Sequence, residues 1–406
     1  MSYKSLILIS IALSVIVSPS ISAPVIDEAA SKRIDAVVGD AISARKAPSC
    51  CVVIGSAESI LFSKAYGHFT YDSNSPAVTL DSIYDLASCS KPTGTATALA
   101  LLLQEGKVKL EDSVSTYLPT WDREDKRAIN ILNLATHTSG LPAYTSVECA
   151  SKAKKKDDSN ADGLTKCIAS LSLNYETNKG HTYSCLNYLT LARVNEEAAK
   201  MTQEAYLRER VWEPLEMHNT AYHLSAEQIK QCAPTLKTRQ GEVHDPLAYY
   251  YIDNNHCSGN AGLFSSANDL SKFCSMLLNN GRFVDREALK QQRIFKPEIV
   301  DMFFTTLAPK ESKTAWALGW GIADDNRYPT PDKRGPDTAA IAHSGYTGTA
   351  IEIDRFAGTY IIILTNRVYP NDNTSIASIR TGVRKVVIDS DPVYAAAKEQ
   401  SKEDNG

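Results

Sequence analysis

Ser88 and Lys91 stand three residues apart in Ser88-Cys89-Ser90-Lys91. Side chains at that spacing share one face of a helix, so a hydroxyl would lie beside an amine. A Ser-x-x-Lys tetrad carries little weight alone, since Ser43-Ala44-Arg45-Lys46 and Ser151-Lys152-Ala153-Lys154 match it too. The Ser88 copy differs in its flanks. Strand-like Ser82–Ala87 precedes it, and Thr93–Leu103, rich in Ala and Leu and stopped by Gly106, reads as a buried helix. Proline is tolerated only in the first helical turn, so Pro92 sets the helix start close to Ser88. Ser88 then lies at the positive end of the helix dipole, with Lys91 one turn on. A hydroxyl beside an amine, where negative charge is favoured, reads as an activated nucleophile.

Three further segments carry groups that could move protons or hold a substrate. Gly180-His181-Thr182-Tyr183-Ser184-Cys185 precedes the apolar helical run Leu189–Val194. Ala342-His343-Ser344-Gly345-Tyr346-Thr347-Gly348-Thr349 leads into a strand pair near the C-terminus, and Leu134–Pro142, containing His137, reads as a helix end and turn. Together with Ser88-x-x-Lys91, these segments resemble the penicillin-recognising serine hydrolases, above all the branch of class C β-lactamases, serine DD-peptidases and β-lactamase-like esterases. Gly259–Leu270, Val211–Met217 and Leu364–Val368 fit the same likeness, which spans roughly residues 30–390.

The resemblance implies that Ser88 is acylated and that Lys91 helps to take its proton. It makes Tyr183 the carrier of a proton to the leaving group and the later assistant of water. A phenol titrates near pH ~10, so this role needs a neighbouring cation, and Lys91 is the candidate. His343-Ser344-Gly345 falls on the third motif of the family. That makes His343, Gly345 and Tyr346 substrate-binding, with the backbone amides of Ser88 and Tyr346 as an oxyanion hole worth about 3 kcal/mol per donor. Cys185 occupies a substrate-facing position where β-lactamases of this type carry Asn. His343 stands in for a lysine, and an imidazole of reference pKa about 6.5 supplies positive charge only partly at neutral pH. Both departures point away from β-lactam hydrolysis proper and toward small esters or D-amino-acid peptides. A neutral ester is expected ahead of a carboxylate-bearing substrate, because nothing else in the motif supplies a fixed positive charge.

Other candidates read as structural. His137 belongs to a turn, and Cys89 and Cys185 need no redox role. His244-Asp245 and His256-Cys257 read as polar loop groups; with no Cys-x-x-Cys and no zinc-type His/Cys spacing, neither a metal nor a cofactor is expected. A Gly-x-Ser-x-Gly elbow does not occur, which argues against a Ser-His-Asp hydrolase. The rival from another class is a non-catalytic binding or scaffold protein on the same fold, suggested by Cys185 and the long insertion Val147–Lys166.

The elements that must position these groups come from both chain ends. Apolar residues recur at helical spacing from Ile26 to Ala44, followed by strand-like Cys50–Gly55 and Ile60–Tyr66. Thr349–Asp354 and Gly358–Thr365 form a second strand pair, and Asn373–Ile388 reads as a closing helix. The economical architecture is α/β (α+β), of β-lactamase/transpeptidase type. An antiparallel sheet is built from both chain ends and flanked by the terminal helices, with a mostly helical region inserted. In numbers, that is a signal peptide at 1–23 and a hydrolase domain at 24–390. The domain has its sheet part at about 24–88 and 316–390 and its helical part at about 89–315; a polar tail covers 391–406.

Residues 1–23 carry one early lysine, an apolar stretch from Leu6 to Val17 and small residues up to Ala23, the layout of a secretory leader. The apolar stretch is short for a membrane span, and no cysteine precedes Cys50 to carry a lipid. Secreted or periplasmic residence is therefore expected, with a small molecule or peptide as substrate. A net charge of −4 over 406 residues leaves no electrostatic footprint for nucleic acid. Nine cysteines suit an oxidising compartment. Pairing within the brackets Cys149/Cys167 and Cys232/Cys257 is expected, and the odd count leaves at least one thiol over. Asn373-Thr374-Ser375 is a lone glycosylation sequon.

Overall fold

The computed structural model describes residues 25–253, 255–285, 290–323 and 339–392. The expected leader and nearly all of the polar tail lie outside them. Six strands make one sheet: β1 (Ser49–Ser56), β2 (Ile60–Gly67), β3 (Gly321–Ile322), β4 (Ala340–Ser344), β5 (Ala350–Asp354) and β6 (Thr359–Thr365), in the order β2-β1-β6-β5-β4-β3. Every neighbouring pair is antiparallel, and the two chain ends meet where Cys50 faces Thr365 and Val53 faces Ile362.

β1 and β6, inside the sheet, read as unbroken apolar runs because both of their faces are covered. Val52, Ile54, Ile361 and Ile363 pack under Ile34 and Val38 of α1 (Glu28–Ser43) and under Ile379 and Val383 of the C-terminal helix Ala377–Asp389. The alternate residues Cys51, Val53, Ile362 and Leu364 enter the main core. Asp27 caps α1 by accepting from Ala30 N at 2.7 Å. In chain order the helical region falls between β2 and β3, and includes α2 (Thr97–Gln104), α3 (Cys185–Ala199) and α4 (Ala267–Leu278), the last packed against β1 and β6. Among the described residues no helix is long and apolar enough to cross a membrane.

Two expectations need correction. The closing helix, expected from Asn373, starts at Ala377. Thr374 is held in the preceding loop, its hydroxyl donating to Lys46 O at 2.7 Å and its carbonyl accepting from Arg367 Nη1 at 2.8 Å. Of the cysteine brackets, Cys149–Cys167 is a disulfide, but Cys232 and Cys257 are both free. Cys232 sits in a small cluster beside Ile83, whereas Cys257 belongs to the main core beside Glu196. Spacing along the chain could not separate them.

Candidate active site

The stretch around Ser88 is helical, but not a plain α-helix. A 3-10 turn, Ala87–Cys89, leads into a widened π segment, Lys91–Ala96, and only then into α2. Pro92 offers no N–H, and the Thr93 and Thr97 hydroxyls donate to Cys89 O (2.6 Å) and Pro92 O (2.8 Å). Those bonds satisfy carbonyls that a regular helix would pair through its backbone. Ala87 takes a left-handed φ of 46°, unusual for a residue with a Cβ, and its N–H donates to buried Asp85 at 2.8 Å. The other Asp85 oxygen accepts from His244 N at 2.7 Å. Burial raises the Asp85 pKa to about 6 although both bonds favour its charge.

Lys91 is fully buried and its ammonium donates to Ser88 Oγ at 3.0 Å, the contact expected from the three-residue spacing. The same Nζ donates to Asn260 O at 2.8 Å and approaches Cys185 Sγ at 3.6 Å. The Asn260 carbonyl had no signal in the sequence. It reaches Lys91 because Gly259 lets its strap lie against α3, where a Cβ would fall 1.9 Å from Tyr188 O. Burial works against the Lys91 charge, but Cys185 and Tyr183 outweigh it and hold the ammonium above its usual pKa.

Tyr183 places its ring 4.9 Å from Lys91 Nζ, and its hydroxyl is buried without a hydrogen bond. Burial pushes the phenol up and Lys91 pulls it back, leaving it above its ordinary value. Cys185 is the first residue of α3, whose Ser184 cap accepts from Leu186 N. His137 backs Tyr183 at a ring distance of 4.6 Å. Its Nδ1 lies 3.1 Å from Ser184 N and 3.2 Å from Asn187 Nδ2, so Nδ1 is the unprotonated nitrogen and the ring braces the turn before α3.

His343 lies near the end of β4, buried, with Nδ1 3.1 Å from Ser344 O. That bond puts the proton on Nδ1 and leaves Nε2 a bare, unpartnered acceptor. Burial, with Lys91 adding to it, brings the His343 pKa down to about 3. The partial positive charge expected at neutral pH is therefore absent, because desolvation removes it. Gly345 follows at a close approach: a Cβ there would lie 2.1 Å from Thr349 Oγ1 and 2.4 Å from Leu86 O. Tyr346 is half exposed, stacked on His244 at 5.5 Å, and its hydroxyl bonds Asp372.

A cavity of about 630 Å³ joins Ser88, Tyr183, His343, Gly345 and Tyr346. It also reaches residues that spacing gave no reason to select, namely Trp316, Arg367 and Arg380. Trp316 stands 6.0 Å from the Tyr183 ring and 6.1 Å from the His343 ring. Arg380 Nη2 donates to Gly345 O (3.1 Å) and Thr349 O (2.8 Å), and Arg367 lies 4.8 Å over the Tyr346 ring. The fixed charge that the His343 motif itself lacks is brought to the cavity from outside the motif, by Arg367 and Arg380. Cys185, although beside Lys91, is not among the residues lining this cavity.

A hydroxyl and a phenol at the wall of a cavity, with a buried ammonium bonded to the hydroxyl, can support nucleophilic acyl chemistry. The chain is 28% identical over 324 residues to the "N-acetylmuramyl-L-alanine amidase" of Bacillus subtilis (strain 168), covering 72% of this chain and 71% of that protein. It is 28% identical over 354 residues to the "Putative D-alanyl-D-alanine carboxypeptidase" of Escherichia coli (strain K12), covering 79% of this chain and 78% of that one. Among solved structures, "EstCE1, a hydrolase with promiscuous acyltransferase activity" superposes with a TM-score of 0.69 at 18% identity, over 89% of this chain and 98% of that chain. The fold is that of the β-lactamases and transpeptidases. The family model described as Beta-lactamase matches residues 34–381, and the chain belongs to that family as a serine hydrolase.

Proposed function

We propose that the protein is an exported hydrolase that forms an acyl-enzyme on Ser88 and acts on an amide or ester whose leaving side bears a carboxylate, as in a peptide ending in a D-amino acid. One observation carries the choice of substrate. Two guanidinium groups, Arg367 and Arg380, line the Ser88 cavity, and their hydrogen bonds go to carbonyl oxygens. Their charge is fixed across the physiological range, unlike that of a histidine. The amidase and carboxypeptidase names of the relatives agree with this reading.

In this scheme Ser88 Oγ attacks the substrate carbonyl carbon while its proton passes to the Lys91–Tyr183 pair. The amides of Ser88 and Tyr346 hold the oxyanion. The pair then gives a proton to the leaving amine or alcohol, and water releases the acyl group and restores Ser88. At rest Lys91 is an ammonium and Tyr183 a neutral phenol. One of them must lose its proton before the pair can act as a base, so kcat/KM should climb as pH rises above neutrality.

The test compares a neutral ester with its carboxylate-bearing analogue. Arg367→Gln should raise KM for the carboxylate substrate about tenfold and leave the neutral ester alone. KM for the anionic substrate in the parent protein should stay flat from pH 6 to 8, because His343 titrates near 3. A preference for the neutral ester, untouched by Arg367→Gln, would remove the carboxylate reading and favour a plain esterase. If no substrate turns over and no serine probe labels Ser88, the fold serves binding only.

A further inference from the structure

Away from the cavity, Glu204, His223 and Cys257 come together from three separate segments, with their ligand atoms all within 4.8 Å of one another. Glu204 Oε2 and His223 Nδ1 are in direct contact. The outer side of each donor is already held. His223 Nε2 bonds Asp253 O at 2.8 Å, which places the proton on Nε2 and turns Nδ1 inward. Glu204 Oε1 accepts from Tyr222 N (3.0 Å), His223 N (3.2 Å) and Arg208 Nη2 (3.1 Å), which leaves Oε2 facing the histidine. The Cys257 backbone N–H is fixed on Glu196 Oε1 at 3.1 Å. Histidine and carboxylate ligands in metal sites need such outer partners to orient them.

We propose that Glu204, His223 and Cys257 form a binding site for one zinc-class divalent cation, with a fourth position open to solvent beside exposed His223. One thiolate, one imidazole and one carboxylate oxygen suit a borderline-soft ion; magnesium and calcium prefer sets of oxygens. With no ion bound, burial and the two glutamates keep Cys257 a neutral thiol. Binding forms bonds to Sγ, Nδ1 and Oε2. It releases to solvent the thiol proton and the proton that His223 shares with Glu204. The site also touches the catalytic apparatus through the chain. Three residues beyond Cys257, the strap Ser258-Gly259-Asn260 delivers the carbonyl that accepts from Lys91.

The experiment titrates cobalt(II) into the full chain with its disulfide intact, followed by absorbance, and needs no substrate. One equivalent should give a thiolate-to-cobalt charge-transfer band, zinc should displace it, and zinc should raise Tm. Cys257→Ser should abolish the band. Because Cys257 is buried and that variant risks misfolding, His223→Gln on the surface is the second arm and, as the loss of a direct ligand, should weaken binding by more than the roughly 10- to 100-fold that losing an outer partner costs. No thiolate band at saturating cobalt, or affinity unchanged in His223→Gln, overturns the proposal and leaves Glu204–His223 as an ion pair only.

Discussion

At the scale of single residues, the site depends on what burial does to charge. Lys91 and His343 are both buried, and they end in opposite states. Lys91 donates to Ser88 and Asn260 O, and with Cys185 and Tyr183 beside it outweighing burial it remains an ammonium. His343 has a single partner, the carbonyl of its neighbour, and remains neutral. Desolvation penalises both charges, and only specific partners reverse the penalty. Ser88→Ala should therefore abolish covalent labelling and turnover while leaving the fold intact, since the loss of one member of a catalytic unit costs about as much as the loss of several. Tyr183→Phe keeps the ring packed against His137 and Trp316 but removes the proposed proton carrier. Turnover should fall by about 10²–10⁴-fold with Tm unchanged. Steady-state kinetics and a melting curve on the two variants decide this, and wild-type turnover in Tyr183→Phe would reduce the tyrosine to packing.

At the scale of elements, two close approaches bring the third motif onto the Ser88 turn. Thr349 Oγ1 donates to Leu86 O at 2.8 Å and Thr347 Oγ1 to Asp85 O at 2.7 Å, so the turn after β4 is stitched to the segment that ends at Ser88. Gly345 makes this possible by having no side chain. In Gly345→Ala the new methyl would meet the Leu86 backbone oxygen, which cannot move without moving Ser88. Overpacking of this kind costs about 1–3 kcal/mol. A lower Tm and at least a tenfold loss in kcat/KM are expected together. A variant that melts lower yet hydrolyses at the parental rate would show that the third motif does not set the geometry at Ser88. The widened turn after Lys91 belongs to the same scale: Thr93, Thr97 and Pro92 were all visible in the sequence, but their joint effect on helix form was not.

At the scale of the whole molecule, Asp85 ties the nucleophile turn to the His244 segment from inside the core. Its pKa is raised in the folded protein to about 6, against 3.8 for an unperturbed aspartate. Folding therefore favours its protonated form. The stability it contributes is complete below the unfolded pKa and is lost as pH rises through about 6. Asp85→Asn has no titration, so the Tm difference between parent and variant should shift in the parent's favour as pH falls from 6 to 4. Melting curves across that range check it. A difference that does not change with pH would mean that the carboxyl is ionised in the fold throughout.

Much of this protein was written in local patterns. Apolar runs marked four of the six sheet strands and both terminal helices to within a few residues. Ser88-x-x-Lys91 with Pro92 and the Ala/Leu run placed Ser88, the proposed nucleophile, at a helix start with Lys91 in hydrogen-bond reach. These are properties of neighbours in sequence, where backbone geometry alone fixes which side chains meet. The tertiary structure decided the rest, because the quantities involved act through space. Asn260 O meets Lys91 across 169 positions, and Arg367 and Arg380 reach the cavity from beyond the last strand. Cys257 is free, not paired with Cys232 as expected, and lies close to Glu204 and His223. The charge of His343 depended on desolvation, which exists only once the chain has closed around the ring.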